Sequence, residues 1–228
     1  MLIAGIKKFS LIDFPSKLAA IVFTQGCQYR CHYCHNPSLI SKNTTSPFSA
    51  SEFFDFLKSR INKLDAVVIT GGEPTLQEDL IDFIKEIKKL NFKVKLDTNG
   101  TNPQILKDLL DQDLLDYIAM DVKSTFENYE KIINSKTDIL DIKKSINLIL
   151  NSEVDYEFRT TLVQGLHTIE DVIEISKSIK DAKLFVLQKF LNKITLNPKY
   201  KDSETFSDLE LENIKKSCLN FVKAIQIR

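Results

Sequence analysis

This 228-residue chain has no tryptophan, three histidines, two methionines, six glycines, six prolines and four cysteines. So little glycine and proline excludes a collagenous or low-complexity chain. Net charge is also missing, because 31 basic residues balance 31 acidic ones. A nucleic-acid binder would carry a basic excess, so no nucleic-acid partner is expected. No apolar run approaches bilayer length, and no charged segment followed by an apolar stretch opens the sequence. No membrane partner and a cytoplasmic location are therefore the expectations. What remains, 43% apolar and 27% charged, is the composition of a globular protein able to bury a sizeable core.

Short β-rich runs alternate with helical patterns almost from end to end. The strand candidates are 18–24, 66–70, 93–97, 117–122, 156–163 and 184–190. Helix candidates lie between them at 51–62, 76–90, 103–112, 139–150 and 169–179. Within the second, Leu80, Phe83, Ile84, Ile87 and Leu90 recur at three- and four-residue spacing. Such alternation predicts a parallel sheet with right-handed crossovers. Six βα units are too few to close an eight-stranded barrel. The expected fold is therefore α/β, an open partial (β/α)6 barrel, with a flat doubly wound sheet as the alternative. One domain is expected over 1–228, with its core at about 16–190 and a C-terminal helix at 207–226. Two polar stretches, 41–51 and 191–205, interrupt the rhythm as connectors.

Glycines cluster where the strands end: Gly26, Gly71, Gly72, Gly100 and Gly165 each follow a strand candidate. In parallel α/β folds that rim is where ligands bind. Three of the four cysteines sit at the same rim, as Cys27-x-x-x-Cys31-x-x-Cys34. So tight a cluster does not read as a disulfide framework; it reads as metal binding. Three thiolates on one loop can hold an iron–sulfur cluster and leave one iron without a protein ligand. A structural zinc with His32 or His35 as fourth ligand is the alternative. Cys218 lies in a helical pattern and reads as a small buried hydrophobe.

Further motifs end later strands. Gly71-Gly72-Glu73-Pro74 reads by itself as a strand-to-helix turn. Asp97-Thr98-Asn99-Gly100 reads as an Asx-type turn. In Met120-Asp121-Val122-Lys123 the aspartate and lysine are two apart and so share one face of a strand. Arg159 and Thr161, also alternating, are candidates for cofactor contacts.

Together, the cysteine triad, the aromatic Tyr33 before its last member and the Gly71-Gly72-Glu73-Pro74 turn resemble the signature of the radical S-adenosylmethionine (SAM) superfamily. Phe23 to Cys27, Cys34-His35-Asn36-Pro37 and the two aspartate motifs resemble its glycyl-radical-enzyme activating branch, nearest to the activating proteins of anaerobic ribonucleoside-triphosphate reductase. The resemblance implies a [4Fe–4S] cluster on Cys27, Cys31 and Cys34, with SAM on the fourth iron. It implies that Tyr33, Gly71, Gly72 and Glu73 contact the cofactor, Glu73 receiving the methionyl ammonium. Asp97, Thr98 and Asn99 would lie on its carboxylate and ribose side, with Asp121 and Lys123 beside them. Asp97, Asp121 and the methionyl carboxylate would repel one another without a positive group. Lys123 is one candidate for that group, a monovalent cation on Asp97, Thr98 and Asp121 is another, and both are expected to contribute. Phe190 stands where pyruvate formate-lyase activases carry a histidine, either to stack on adenine or as core. Arg30 and His35 flank the cluster as solvated or supporting groups.

The leading reading is thus a radical SAM oxidoreductase that installs a glycyl radical on a partner in trans, first among them anaerobic ribonucleotide reductase, fed by a flavodoxin- or ferredoxin-type donor. A small-molecule radical SAM enzyme such as a carboxy-deazaguanine synthase is the alternative enzyme. A metal-stabilised binding module is the non-enzymatic alternative.

Overall fold

The computed structural model describes residues 1–42 and 47–228, so 43–46 of the 41–51 connector lie outside the described residues. Eight strands form one sheet in sequential order. They are β1 (Ile3–Ser10), β2 (Ala19–Thr24), β3 (Ala66–Gly71), β4 (Lys93–Thr98), β5 (Tyr117–Asp121), β6 (Asp155–Leu162), β7 (Phe185–Lys189) and β8 (Ile225–Ile227). β1 runs antiparallel to β2, and every later pair is parallel. A doubly wound sheet reverses its strand order partway, and this one does not. β1 and β8 stay unpaired with each other, so the sheet curls into a barrel that is not closed. The fold is α/β, an open partial barrel, and its six central strands, β2–β7, are the six expected from the sequence.

The helices are α1 (Ala50–Lys58), α2 (Leu80–Lys89), α3 (Pro103–Asp111), α4 (Tyr129–Ile133), α5 (Ile139–Leu150), α6 (Ile169–Ser178) and α7 (Asp208–Cys218). Local chemistry fixes their starts. Ser49 Oγ accepts from the Glu52 amide at 3.1 Å while the Glu52 carboxylate accepts from the Ser49 amide at 2.7 Å, a reciprocal cap for α1. Thr168 with Asp171 and Ser207 with Glu210 cap α6 and α7 in the same way.

Because side chains alternate along a strand, each strand serves two compartments. Val22, Ile69, Leu96, Met120 and Phe158 join the large core beneath the helices. The opposite side chains face the lumen. From β2, β3 and the β1–β2 connection, Ala19, Ile21, Ala66, Val68 and Phe14 form a second, apolar cluster that includes Tyr117 of β5. The β4–β6 side of the lumen instead carries Lys95, Asp97, Glu157 and Arg159, joined in ion pairs.

Two edge elements go beyond the sequence reading. β1 forms a hairpin with β2 before the expected core begins. The helix expected over 207–226 ends at Cys218, and Ile225–Ile227 adds to β7 as β8. Phe221, Val222 and Ile225 continue the helical spacing, but the unpaired edge of β7 offers their backbone ladder bonds that a lone last turn lacks.

Candidate cofactor site

The cysteine loop leaves β2 at Thr24 and is pinned on all sides. Gly26 N–H donates to Leu39 O at 2.7 Å, Cys27 N–H to Ile40 O at 3.1 Å, and Arg30 N–H to Ile133 O at 3.0 Å. The Arg30 guanidinium donates to the carbonyls of Cys27 and Tyr29, both at 2.8 Å. Gln28 Nε2 reaches Asn99 Oδ1 at 3.3 Å, tying the loop to the end of β4. All three thiols are free; Cys31 is buried and Cys27 and Cys34 are half-buried. Burial pushes the Cys31 thiol up to about 12 and raises that of Cys27. Thiols so placed need a strongly electropositive partner to ionise.

They face one cavity of about 230 Å3. Tyr33, Gly71, Gly72, Glu73, Asp97, Thr98, Asn99, Asp121, Lys123, Arg159 and Thr161, every further site residue expected from the sequence, also line it. Strand register accounts for the convergence. Asp121 is directly opposite Arg159 on the β5–β6 pair, and Thr161 opposite Gln188 on the β6–β7 pair.

Glu73 is 1% exposed and already shared. Its Oε1 accepts from the Thr75 hydroxyl at 2.6 Å and the Thr98 hydroxyl at 2.8 Å, and its Oε2 accepts from the Asn99 amide at 2.7 Å. The carboxylate therefore brackets the ends of β3 and β4, and Oε2, with one donor, keeps acceptor capacity for a cation. Burial raises its pKa, and these donors act against that rise.

Charge on the far wall is balanced within the chain. Arg159 Nε donates to Asp121 Oδ1 at 2.8 Å and its Nη1 to Asp97 Oδ2 at 3.3 Å. Lys95 Nζ pairs with Asp97 Oδ1 at 2.8 Å, and Lys123 Nζ with Asp121 Oδ2 at 3.2 Å. Burial alone would raise both carboxyls. Arg159, with Lys123, instead holds Asp121 at about 2, and Arg159 with Lys95 holds Asp97 below the usual carboxylate range. Burial likewise opposes the charge on Lys123, but Asp121 keeps its pKa well above the ordinary value. The repulsion anticipated between the aspartates is thus relieved by three side-chain cations. Both carboxylates are paired with side-chain cations, and the Thr98 hydroxyl donates to Glu73.

Both histidines considered as a fourth zinc ligand make ring contacts away from the cysteine loop. His32 Nδ1 lies 3.2 Å from Asn197 Nδ2, and its ring is 5.3 Å from that of Tyr200. His35 stacks on Phe190 at 5.4 Å with planes 13° apart. Among the described residues no three His, Cys, Asp or Glu side chains converge on one point as a single ion demands. All three thiols line one cavity.

The cavity also suits SAM. It offers an acceptor for an ammonium at Glu73 and cations for a carboxylate at Lys123 and Arg159. Asn99 Nδ2 on its wall is a buried donor without a partner among the described residues. Phe190 does not line the cavity, whereas His35, stacked on it, does. Sequence reasoning missed Lys95, Gln188 and His167. Buried His167 accepts from the Val163 amide at Nδ1, so its Nε2–H donates to the Lys123 carbonyl at 2.9 Å. Only the period-two placement of Lys95 before Asp97, and of Gln188 before Phe190, could have signalled the first two.

Known proteins agree with this geometry. Residues 21–205 match the family model described as the radical SAM superfamily. A Methanocaldococcus jannaschii protein provisionally named a glycyl-radical enzyme activating enzyme is 35% identical over 100% of this chain and 95% of its own. The pyruvate formate-lyase-activating enzyme of Clostridium pasteurianum is 26% identical over 94% of this chain and 95% of its own. In fold, QueE from Escherichia coli superposes with a TM-score of 0.58 at 16% identity, covering 99% of this chain and 92% of that one. SuiB from Streptococcus suis bound to S-adenosylmethionine gives 0.68 at 14% identity, covering 91% and 49%. The chain is an enzyme of the radical SAM superfamily, with a [4Fe–4S] cluster and S-adenosylmethionine as its cofactors.

Proposed function

We propose that this protein is a cytoplasmic activase that installs a glycyl radical on a separate enzyme. One observation carries the reading: a three-thiol loop, a carboxylate bracket and paired cations meet at one cavity, in a chain related along its full length to an activating enzyme. Cys27, Cys31 and Cys34 would hold the cluster. Glu73 would receive the methionyl ammonium of SAM, and Lys123 with Arg159 its carboxylate, as charge complementarity requires. Gly71, Gly72, Tyr33, Asp97, Thr98, Asn99, Asp121 and Thr161 would complete the wall. When bound, cluster and SAM supply one-electron cleavage of the sulfonium and hydrogen-atom abstraction from a carbon centre. The chain's own share is orientation, through the Arg159 and Glu73 networks.

The target in trans is anaerobic ribonucleotide reductase, and the electron comes from a flavodoxin- or ferredoxin-type carrier. The test is anaerobic reconstitution and reduction, then incubation with SAM and either that reductase or a pyruvate formate-lyase. A glycyl-radical doublet by electron paramagnetic resonance is expected on the reductase, with 5′-deoxyadenosine formed in equal amount. A radical on the lyase alone would move the target. No radical on either, with turnover of a small-molecule substrate, would overturn the activase reading.

A further inference from the structure

We propose that a concavity on the outer side of the cysteine loop is the docking surface for an acidic one-electron carrier protein, with Lys42 and Arg30 as its charged contacts. This rests on Cys27, Cys31 and Cys34 being the cluster ligands. Two cavities meet at Cys27. The first is the cofactor cavity, which SAM and the target must fill when the enzyme works. The second, about 600 Å3, is lined by Cys27 together with Arg30, Lys42, Pro37, Leu76 and Leu196. Neither Cys31 nor Cys34 reaches it. Cys27 is therefore the thiol that can be approached while the cofactor side is closed. Electron transfer falls steeply with distance, so a carrier seated there would have the short route.

The chemistry of the lining selects the carrier. Arg30 and Lys42 are both exposed, and among the described residues no carboxylate lines the concavity. That is a local cationic patch on a chain of zero formal charge. Arg30 is fixed by its bonds to the carbonyls of Cys27 and Tyr29. The aliphatic stem of Lys42 lies across Gly26, where an added Cβ would meet its Cγ at 2.7 Å, and its ammonium is left to solvent. Pro37, Leu76 and Leu196 add apolar contact area between the charges. A carrier with an acidic rim around its redox centre complements this surface, and opposite charge speeds such encounters. The carrier, a reduced flavin or iron–sulfur protein, gives up one electron and is oxidised by one; no bond is made or broken at the surface.

The test uses the reconstituted holoenzyme with a reduced bacterial flavodoxin and a small acidic ferredoxin as probes. Lys42→Met keeps the stem over Gly26 and removes the charge, Lys42→Glu reverses it, and Leu196→Asp adds an acidic group to the lip. Dissociation constants for the probes are measured anaerobically, along with the rate of cluster reduction by each carrier and by dithionite. Affinity for at least one probe is expected to fall about tenfold in Lys42→Glu at low salt, less in Lys42→Met, with the gap closing at high salt. Reduction by dithionite, which needs no docking, is expected to stay at the wild-type rate. Wild-type affinity for both probes in both Lys42→Glu and Leu196→Asp would overturn the docking proposal. A wild-type enzyme that dithionite cannot reduce would instead overturn the cluster assignment beneath it.

Discussion

Gly72 lies so close to Gly26 that a Cβ on it would stand 2.1 Å from the Gly26 carbonyl oxygen. The same carbonyl accepts the Glu73 amide at 2.8 Å. The sequence suggests that glycine is needed here to let the cofactor approach; the nearer obstacle is the cysteine loop itself. Gly72→Ala is therefore expected to push that loop away, at a cost of about 1–3 kcal/mol for overpacking. Iron and sulfide content after anaerobic reconstitution should fall well below wild type, with a lower thermal midpoint. Full iron content at wild-type stability would show that the contact is not needed.

A second expectation concerns acid. Asp121 is held at about 2 in the folded chain, against an ordinary aspartate value of 3.8, because Arg159 and Lys123 outweigh its burial. A depressed folded pKa means stability fully present above the unfolded value and lost as pH falls through the folded one. The window is thus from about pH 4 down to about 2, and the amount is about 2 kcal/mol. Urea unfolding of the metal-free protein should show wild type losing its advantage over Asp121→Asn across that window. An advantage that is constant down to pH 2 would mean the ion pair does not set the aspartate's pKa.

How legible this was depended on which surface a residue faces. β2–β7 read clearly because runs such as Ala66–Gly71 are apolar on both faces and end in a glycine rim. β1 did not, since its Lys7, Lys8 and Phe9 are exposed on an edge strand and break the apolar run. The cysteine loop and the rim motifs were readable because their chemistry is carried by adjacent residues. Lys95, Glu157 and Arg228 were not. In sequence an alternating lysine or glutamate looks like the solvent face of a strand, yet Glu157 is fully buried and holds the Arg228 guanidinium at 2.8 and 3.0 Å. Only the curling of the sheet turns that face into an interior, and curvature is not written in periodicity.

Monovalent cations are expected to be dispensable for SAM binding. Lys95, Arg159 and Lys123 already neutralise Asp97 and Asp121. SAM affinity measured at constant ionic strength should be equal in potassium and in a bulky organic cation. Arg159→Met leaves the two carboxylates short of charge and should weaken SAM by about tenfold, roughly 1.4 kcal/mol. In that variant potassium should restore part of the loss. A wild-type affinity that rises with potassium would show that the side-chain cations are insufficient.

The cysteines give the last test, because burial separates them by role. Cys27, Cys31 and Cys34 line one cavity, and each is expected to be indispensable to the cluster. Cys218 is fully buried in α7, far along the chain from the others, with its thiol 3.8 Å from the Val172 carbonyl where α6 packs. Its role is to fill space between two helices. Cys218→Ala should therefore keep full iron content and the visible absorbance of the cluster, while losing about 1 kcal/mol for the small void left in the core. Cys27→Ala, Cys31→Ala and Cys34→Ala should each fold but lose the cluster and all reductive cleavage of SAM. Cys27 and Cys34 are half-buried, so their removal should cost less stability in the metal-free protein than that of Cys31, which belongs to the main core. Retention of four irons in Cys31→Ala, the most buried of the three, would undo the ligand assignment; loss of iron in Cys218→Ala would show a cluster that depends on the α6–α7 packing.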